Sequence, residues 1–287
     1  MRAHQPGFKN ARLKTWREAG AGFTPELPAG YDFHTYEQWF HDFTQGFLQG
    51  EEFDTTNVLI KINHTLRVLD LSRRITQALA PPPALAELAH LAALFHDIGR
   101  FPQYSRYGTF HDQLSVNHAY LGVITLKQHR VLAALAPSAR KLVLGAVAMH
   151  NRRFLPGRLP PEVKLLTQIV RDADKLDIFS VLIAHFDPAT PHNHVVSLEL
   201  QPHPDKFSPD ILHKVFNRQL VNYQDMVWLN DFKLLLCSWI YDFNFGVSRG
   251  MVQEKGYLEK LMACLPPTPE FIRLGRQLQQ DLAAAGV

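Results

Sequence analysis

The chain has 287 residues, of which 46% are apolar and 20% charged, a composition typical of an ordinary globular protein. Its net charge is +3 and its isoelectric point about 8.8, but no cluster of Lys or Arg stands out, so we expect no nucleic-acid interface. No apolar run approaches the roughly 18 residues of a membrane span, and residues 1–12 contain no apolar signal segment. We therefore expect a cytoplasmic protein with no membrane partner.

Helical spacing of apolar residues dominates the chain, and we predict an all-α protein. Residues 1–34 contain scattered prolines and glycines and are expected to be irregular, whereas 35–287 are expected to form one helical domain. Ser115 is expected to cap the helix that holds residues 118–124. A short alternating stretch predicts one small β-hairpin near 195–207. The apolar periodicity predicts helices at about residues 35–48, 56–79, 85–97, 118–124, 138–150, 162–186, 209–222, 227–248, 251–265 and 270–285.

Two cysteines, Cys237 and Cys264, lack the spacing of a metal site. We expect them to be buried free thiols in a reducing compartment. The aromatic stretch 101–110 is expected to be a loop.

A histidine and an aspartate, His96 and Asp97, are adjacent at the end of an apolar helical run. Gly99 follows them and is expected to end the helix with a positive φ. An aspartate is rarely buried unless it is paired or bound to a metal. A simple hydrogen bond at the helix end explains the pair equally well.

The helix predicted at 56–79 is apolar on two sides, which indicates burial of the helix and of His64 within it. Lys61 and Arg67 lie three residues to either side of this histidine and are within its reach.

The helix predicted at 162–186 carries Asp172, Asp174 and Asp177 among apolar residues. Asp172 and Asp174 are separated by about 200° around a helix, so they cannot both face one site. A solvated stripe of carboxylates is the alternative to a buried site.

Five helical stretches therefore each supply a ligand type that we expect to be buried. Four imidazoles and two carboxylates suit Mn, Fe, Co, Ni or Zn, and the absence of nearby cysteines disfavours a structural zinc site. The six residues are His64, His96, Asp97, His118, His150 and Asp174.

The order of these residues resembles the HD-domain superfamily of metal-dependent phosphohydrolases, in which the pattern H…HD…D lies on a helical core. The resemblance covers about residues 55–180. It implies a helical core at about residues 55–186, followed by a helical extension at about 208–287. The local sequences that carry it are NHTLRV, LAALFHDIGRF, NHAYLG, AMHNRR and RDADKLD.

The resemblance implies one metal ion held by His64, His96, Asp97 and Asp174. The additional histidines resemble the binuclear branch of the superfamily, in which His118 and His150 would hold a second ion and Asp97 would bridge the two. His111 remains an alternative to His118. Asp177, one turn beyond Asp174, is a candidate for supporting a ligand.

The resemblance further implies hydrolysis of a phosphate ester or phosphodiester, in a small and nucleotide-like substrate, by a metal-bound hydroxide. Positive charge beside the ligands suits phosphoryl transfer. Asp97, Arg100 and Lys175 are the expected catalytic residues. The expected substrate-binding residues are Lys61, Arg67, Tyr104 and Tyr107.

Two other functions remain open. A minority of binuclear HD proteins resemble mixed-valent di-iron oxygenases, which use the same six ligand types. A non-catalytic nucleotide-binding regulator is the second alternative, although it has no need for a complete ligand set. The substrate, the native metal and the oligomeric state are not predicted.

Overall fold

The structure is a computed structural model that describes residues 15–20, 22–49, 52–187, 189–190 and 193–284. Within these ranges the fold is all-α, as predicted, and strands are absent apart from an isolated bridge between Gln201 and Trp228. No helix in the described ranges is both long enough and apolar enough to cross a membrane.

The α-helices, numbered in chain order, are α1 (Phe33–Gln45), α2 (Glu52–Leu79), α3 (Pro83–Phe95), α4 (Arg100–Tyr107), α5 (His118–Gln128), α6 (Pro137–Met149), α7 (Pro161–His185), α8 (Pro209–Phe216), α9 (Leu229–Ser238), α10 (Gly246–Glu254), α11 (Tyr257–Ala263) and α12 (Pro269–Ala284). Short 3-10 helices lie at Trp16–Ala19, Asp112–Leu114, Tyr223–Asp225 and Trp239–Tyr241.

The chain divides into two compact units, residues 14–177 and residues 178–287. The expected boundaries, with an irregular extension at 1–34 and one domain at 35–287, stay a prediction. Of that extension, residues 1–14 and 21 lie outside the described residues.

Helix α3 forms the centre of the first unit. Its residues from Leu91 onward are all buried, because the run is apolar on every side. Helices α1, α2 and α6 pack against it, and α5 packs against α4 and α6. The end of α3 is therefore enclosed by other helices, which places His96 and Asp97 in the interior.

Gly99 does not adopt the positive φ that was expected, because its φ is −72°. It is required for a different reason. A Cβ atom at this position would lie 2.1 Å from the carbonyl oxygen of His118 and 2.5 Å from the backbone nitrogen of Gly122. The glycine thus permits close contact between the turn after α3 and the backbone of α5.

The expected loop at 101–110 is wrong over most of its length, since α4 occupies Arg100–Tyr107. Phe101 and Tyr104 are three residues apart and form the buried face of this helix. Pro102 is compatible with a helix here, because it lies in the first turn, where backbone N–H groups have no helical partner.

The expected cap of α5 is also wrong. The side chain of Asn117, not that of Ser115, accepts the capping hydrogen bond, from the Tyr120 N–H at 2.9 Å. The Ser115 hydroxyl instead donates to the carbonyl oxygen of His111.

In the second unit, α8 packs on α9, and α11 contacts α9, α10 and α12. The helix expected at 227–248 is divided by the 3-10 turn after Ser238, and α8 ends before Arg218, whose φ of 57° is incompatible with a helix.

The hairpin expected near 195–207 is absent, and the segment from 194 to 199 consists of turns. The backbone N–H groups of Val195 and Val196 donate to the side chain of Asn193. Leu198 and Glu199 both adopt positive φ, which a strand does not allow.

Candidate metal centre

The six predicted ligands converge from five places in the first unit. His64 lies within α2 and Asp174 within α7, whereas His118 is the first residue of α5. His96 and His150 directly follow the last residues of α3 and α6, and Asp97 follows His96. All are buried except Asp174, whose side chain is 21% exposed.

Within the described residues, the six side chains form two sets that could each hold a metal ion. We call His64, His96 and Asp174 the first donor group, and Asp97, His118 and His150 the second donor group. In each group the three ligand atoms lie within 4.8 Å of one another.

Asp97, a member of the second donor group, lies between the histidines of the two groups, with one carboxylate oxygen facing each pair. Its Oδ1 atom is 3.3 Å from Nε2 of His118 and 3.7 Å from Nε2 of His150. Its Oδ2 atom is 3.7 Å from Nε2 of both His64 and His96. This is the arrangement that a carboxylate bridging two ions requires.

Each histidine is oriented by a hydrogen bond from its Nδ1 atom, so that Nε2 faces the centre. His96 and His150 donate to the carbonyl oxygens of Ala93 and Val147, at 2.7 and 2.8 Å. His64 and His118 donate to carboxylates, as described below. A proton on Nδ1 leaves a lone pair on Nε2, which is the form that binds a metal.

The Nε2 atoms lack the partners that buried nitrogens normally have. Those of His64 and His96 are buried and accept no hydrogen bond, and those of His118 and His150 face each other at 3.0 Å. Two lone pairs at this distance require a cation between them or a second proton on one ring. The donor set therefore fits divalent transition-metal ions.

Protonation of these rings is disfavoured in two of the four histidines. Burial lowers the pKa of His96 to about 4, and burial together with Arg100 lowers the pKa of His118 to about 3. Burial and Lys61 act in the same direction on His64, but the nearby carboxylates of Asp174 and Asp177 outweigh them and raise its pKa.

Although burial opposes ionisation of Asp97, Lys61 and His96 hold the pKa of this carboxyl well below its usual value. The Asp97 side chain is therefore a carboxylate at neutral pH, as metal binding requires.

Asp177 supports His64, as expected from its position one turn beyond Asp174. Its Oδ2 atom accepts the Nδ1 hydrogen bond of His64 at 2.7 Å. Arg67 donates to both of its oxygens, at 2.6 and 3.0 Å. Arg67, expected to bind substrate, thus contacts Asp177, and its role toward a substrate stays a prediction.

Asp112 has the corresponding position beside His118, although this role was not predicted from the sequence. Both of its carboxylate oxygens lie 2.8 Å from Nδ1 of His118. In the sequence, only its neighbour His111 drew attention to this position, and His111 lies outside both donor groups.

Two of the cations that were expected to act in catalysis or substrate binding lie beside Asp97. The Lys61 ammonium is 2.8 Å from Asp97 Oδ2, and Nε of Arg100 is 3.5 Å from Asp97 Oδ1. Lys175 is buried on α7, next to Asp174.

The two tyrosines differ in exposure. Tyr104 is buried, and its hydroxyl donates to Asp54 and accepts from Asn57. Tyr107, at the end of α4, is exposed. Their expected contacts with substrate stay a prediction.

An all-α unit with clustered, buried histidines and aspartates has the features of a metal-binding domain. Residues 62–178 match the family model of the HD domain, so the chain contains an HD domain. This family consists mostly of metal-dependent hydrolases. Comparison with curated proteins and with solved structures gives no significant match.

Proposed function

We propose that the protein is a two-metal phosphohydrolase that cleaves a phosphate ester or phosphodiester in a small, nucleotide-like substrate. The observation that carries the proposal is the position of Asp97, which faces a separate set of imidazole nitrogens with each of its oxygens. The first donor group together with Asp97 Oδ2 would hold one ion. The second donor group, through Asp97 Oδ1, would hold the other.

Bound Mn, Fe, Co, Ni or Zn ions would supply Lewis acidity and lower the pKa of a water molecule. The side chains around them have a separate task. Phosphoryl transfer depends mainly on positioning and on positive charge near the phosphoryl oxygens. Lys61, Arg100 and Lys175 are the candidates for that charge, and Lys61 is partly exposed, with 17% of its side chain accessible.

An exposed aromatic side chain on α4 supports the proposal of a nucleotide-like substrate. Tyr107 is exposed at the end of the helix that begins with Arg100, and its ring offers a face on which a base can stack. We also propose that the protein acts in a reducing compartment such as the cytoplasm, because Cys237 and Cys264 are free thiols.

The test begins with protein stripped of metal and reloaded separately with Mn, Co or Fe. Each form is assayed under nitrogen against a panel of nucleoside monophosphates, cyclic nucleotides and other phosphate esters. We expect release of phosphate or opening of a phosphodiester with Mn or Co in the absence of oxygen, because hydrolysis needs no redox change at the metal. Turnover that requires iron and consumes oxygen would instead identify an oxygenase.

The matched variants are Asp97→Ala and Asp70→Ala. Asp97 faces both donor groups, so its loss should abolish turnover, whereas Asp70 is an exposed residue of α2 with 72% of its side chain accessible. Full activity in Asp97→Ala would contradict the assignment of the site. Nucleotide binding by the metal-loaded protein, with no turnover of any substrate in the panel, would indicate a regulator.

A further inference from the structure

Each donor group has one aspartate outside it that fixes one of its histidines. Asp177 accepts from Nδ1 of His64 at 2.7 Å, and Asp112 is 2.8 Å from Nδ1 of His118. We infer that Asp112 is a positioning residue that assembles the second donor group independently of the first. This inference rests on the proposed two-metal centre but not on the identity of the substrate.

Asp112 is itself held from several directions. Arg100 donates to its Oδ1 atom at 2.9 Å, and Gln103 donates to the same oxygen at 3.0 Å. Asn151, which directly follows His150, donates to its Oδ2 atom at 3.2 Å. These contacts come from α4 and from the end of α6, so they place the carboxylate firmly against His118.

The contacts of Asp112 lead to the second donor group by three routes. The first is the direct hydrogen bond to His118. The second is Arg100, whose Nε atom lies 3.5 Å from Asp97 Oδ1, the oxygen that faces His118 and His150. The third is Asn151, whose backbone directly continues from His150. Within the part of the chain that the structure describes, Asp112 makes these hydrogen bonds with Arg100, Gln103, His118 and Asn151, and none with the first donor group.

Asp177 provides an internal comparison, because its contacts are with the opposite group. Asp177 accepts a hydrogen bond from His64 and two from Arg67, one from Nε and one from Nη2. A carboxylate that accepts from a metal-ligating histidine fixes the tautomer and raises the basicity of the ring, and its loss typically weakens metal binding about 10–100-fold. Loss of either aspartate should therefore weaken the binding of one ion and leave the affinity for the other ion unchanged.

The experiment compares wild type, Asp112→Asn, Asp177→Asn and the surface control Asp70→Asn. Metal-free protein is titrated with Co²⁺ or Mn²⁺ by calorimetry, and the Co²⁺ absorption spectrum is recorded at each step. We expect two ions in wild type and in Asp70→Asn. In Asp112→Asn and Asp177→Asn, one ion should bind about 10–100-fold more weakly while the other keeps its affinity, and the two variants should lose different spectral components.

Thermal unfolding of the metal-free variants separates this role from a general loss of structure. An Asp112→Asn protein that unfolds as wild type does, yet loses affinity for one ion, supports the inference. Two ions bound at wild-type affinity in Asp112→Asn, or equal weakening of both ions, overturns it while leaving the two-metal centre intact. A wild-type protein that binds a single ion would contradict both proposals.

Discussion

At the scale of residues, the six proposed ligands could all be selected from the sequence. A histidine followed by an aspartate at the end of an apolar helix is unusual enough to be noticed, and the ordered set of further histidines made the resemblance specific. Asp112 could not be found in this way, because it lies in a 3-10 helix of three residues, which is too short to show a periodic pattern. Arg67 was noticed as a neighbour of His64, but its partner Asp177 lies 110 residues away in the chain.

The Lys61 ammonium contacts Asp97 Oδ2 and lies 5.3 Å from the centre of the Phe110 ring. Lys61→Ala should lower kcat. We expect the activation free energy to rise by ~2–4 kcal/mol, by analogy with the loss of one donor to a developing negative charge. Metal affinity should not fall, since a cation is removed. Steady-state kinetics and a metal titration measure the two effects separately.

Two variants control for the loss of Lys61. Lys61→Arg keeps the positive charge and should retain more activity than Lys61→Ala. Lys141→Ala removes an exposed lysine of α6 and should leave the kinetics unchanged. Wild-type kcat in Lys61→Ala would show that this ammonium takes no part in the reaction.

At the scale of elements, the long helices α2 and α7 were predicted well, whereas the helix α4 and the contact made by Gly99 were not. Apolar periodicity located α2 and α7, but it does not report close contacts between backbones. The role of Gly99 depends on the neighbouring α5, so the glycine was assigned a local turn that it does not form. The same limitation applies to α4, whose aromatic residues are buried by neighbours that local sequence does not reveal.

Gly99→Ala should destabilise the protein, because its new Cβ atom would lie 2.1 Å from the backbone oxygen of His118. Backbone shifts of this kind cost about 1–3 kcal/mol. Gly157→Ala is the matched control, since no atom lies within 4 Å of a Cβ atom at that position. Urea unfolding of the two variants should show a clear loss only for Gly99→Ala, and equal stability would contradict the proposed close approach.

Glu162, in the first turn of α7, accepts hydrogen bonds from the N–H groups of Gly22 and Phe23 at 2.9 and 2.7 Å. Although burial opposes ionisation, these bonds lower the pKa of Glu162 below its ordinary value of 4.5. A lowered pKa stabilises the folded state above pH 4.5, and this contribution is lost as the pH falls through the folded-state pKa.

Glu162→Gln should therefore lower the free energy of unfolding by about 1 kcal/mol at pH 7. The difference from wild type should shrink as the pH falls below the ordinary pKa of glutamate. Denaturant unfolding at several pH values measures it. A difference that is constant from pH 7 to pH 3 would show that the charge of Glu162 makes no contribution.

At the scale of the whole molecule, the resemblance to the HD domain, which residues 62–178 match, could be recognised because the proposed ligands occur in the order H…HD…D. The unit at 178–287 carries no comparable motif. Its helices are held by contacts such as the stacking of Phe179 on Tyr257, whose ring centres are 5.6 Å apart. Such pairs are distant in the chain, and a single sequence does not indicate which aromatic residues will meet.

Metal binding should raise the thermal stability of the folded chain, because the donor groups are assembled only in the native state. An ion present at 100 times its dissociation constant adds about 2.7 kcal/mol. Differential scanning fluorimetry with and without Mn²⁺ should show a higher Tm for wild type and a much smaller change for Asp97→Ala. An identical rise in both proteins would mean that the ion binds elsewhere.

The two donor groups differ in where their ligands lie along the helices. In the first group, His64 and Asp174 project from within α2 and α7, helices of 28 and 25 residues. The members of the second group all lie at helix ends or in the turn after α3. Sites built on helices are held more precisely than sites on loops. We therefore expect the first donor group to discriminate among divalent ions by ionic radius and the second to accept a wider range of sizes.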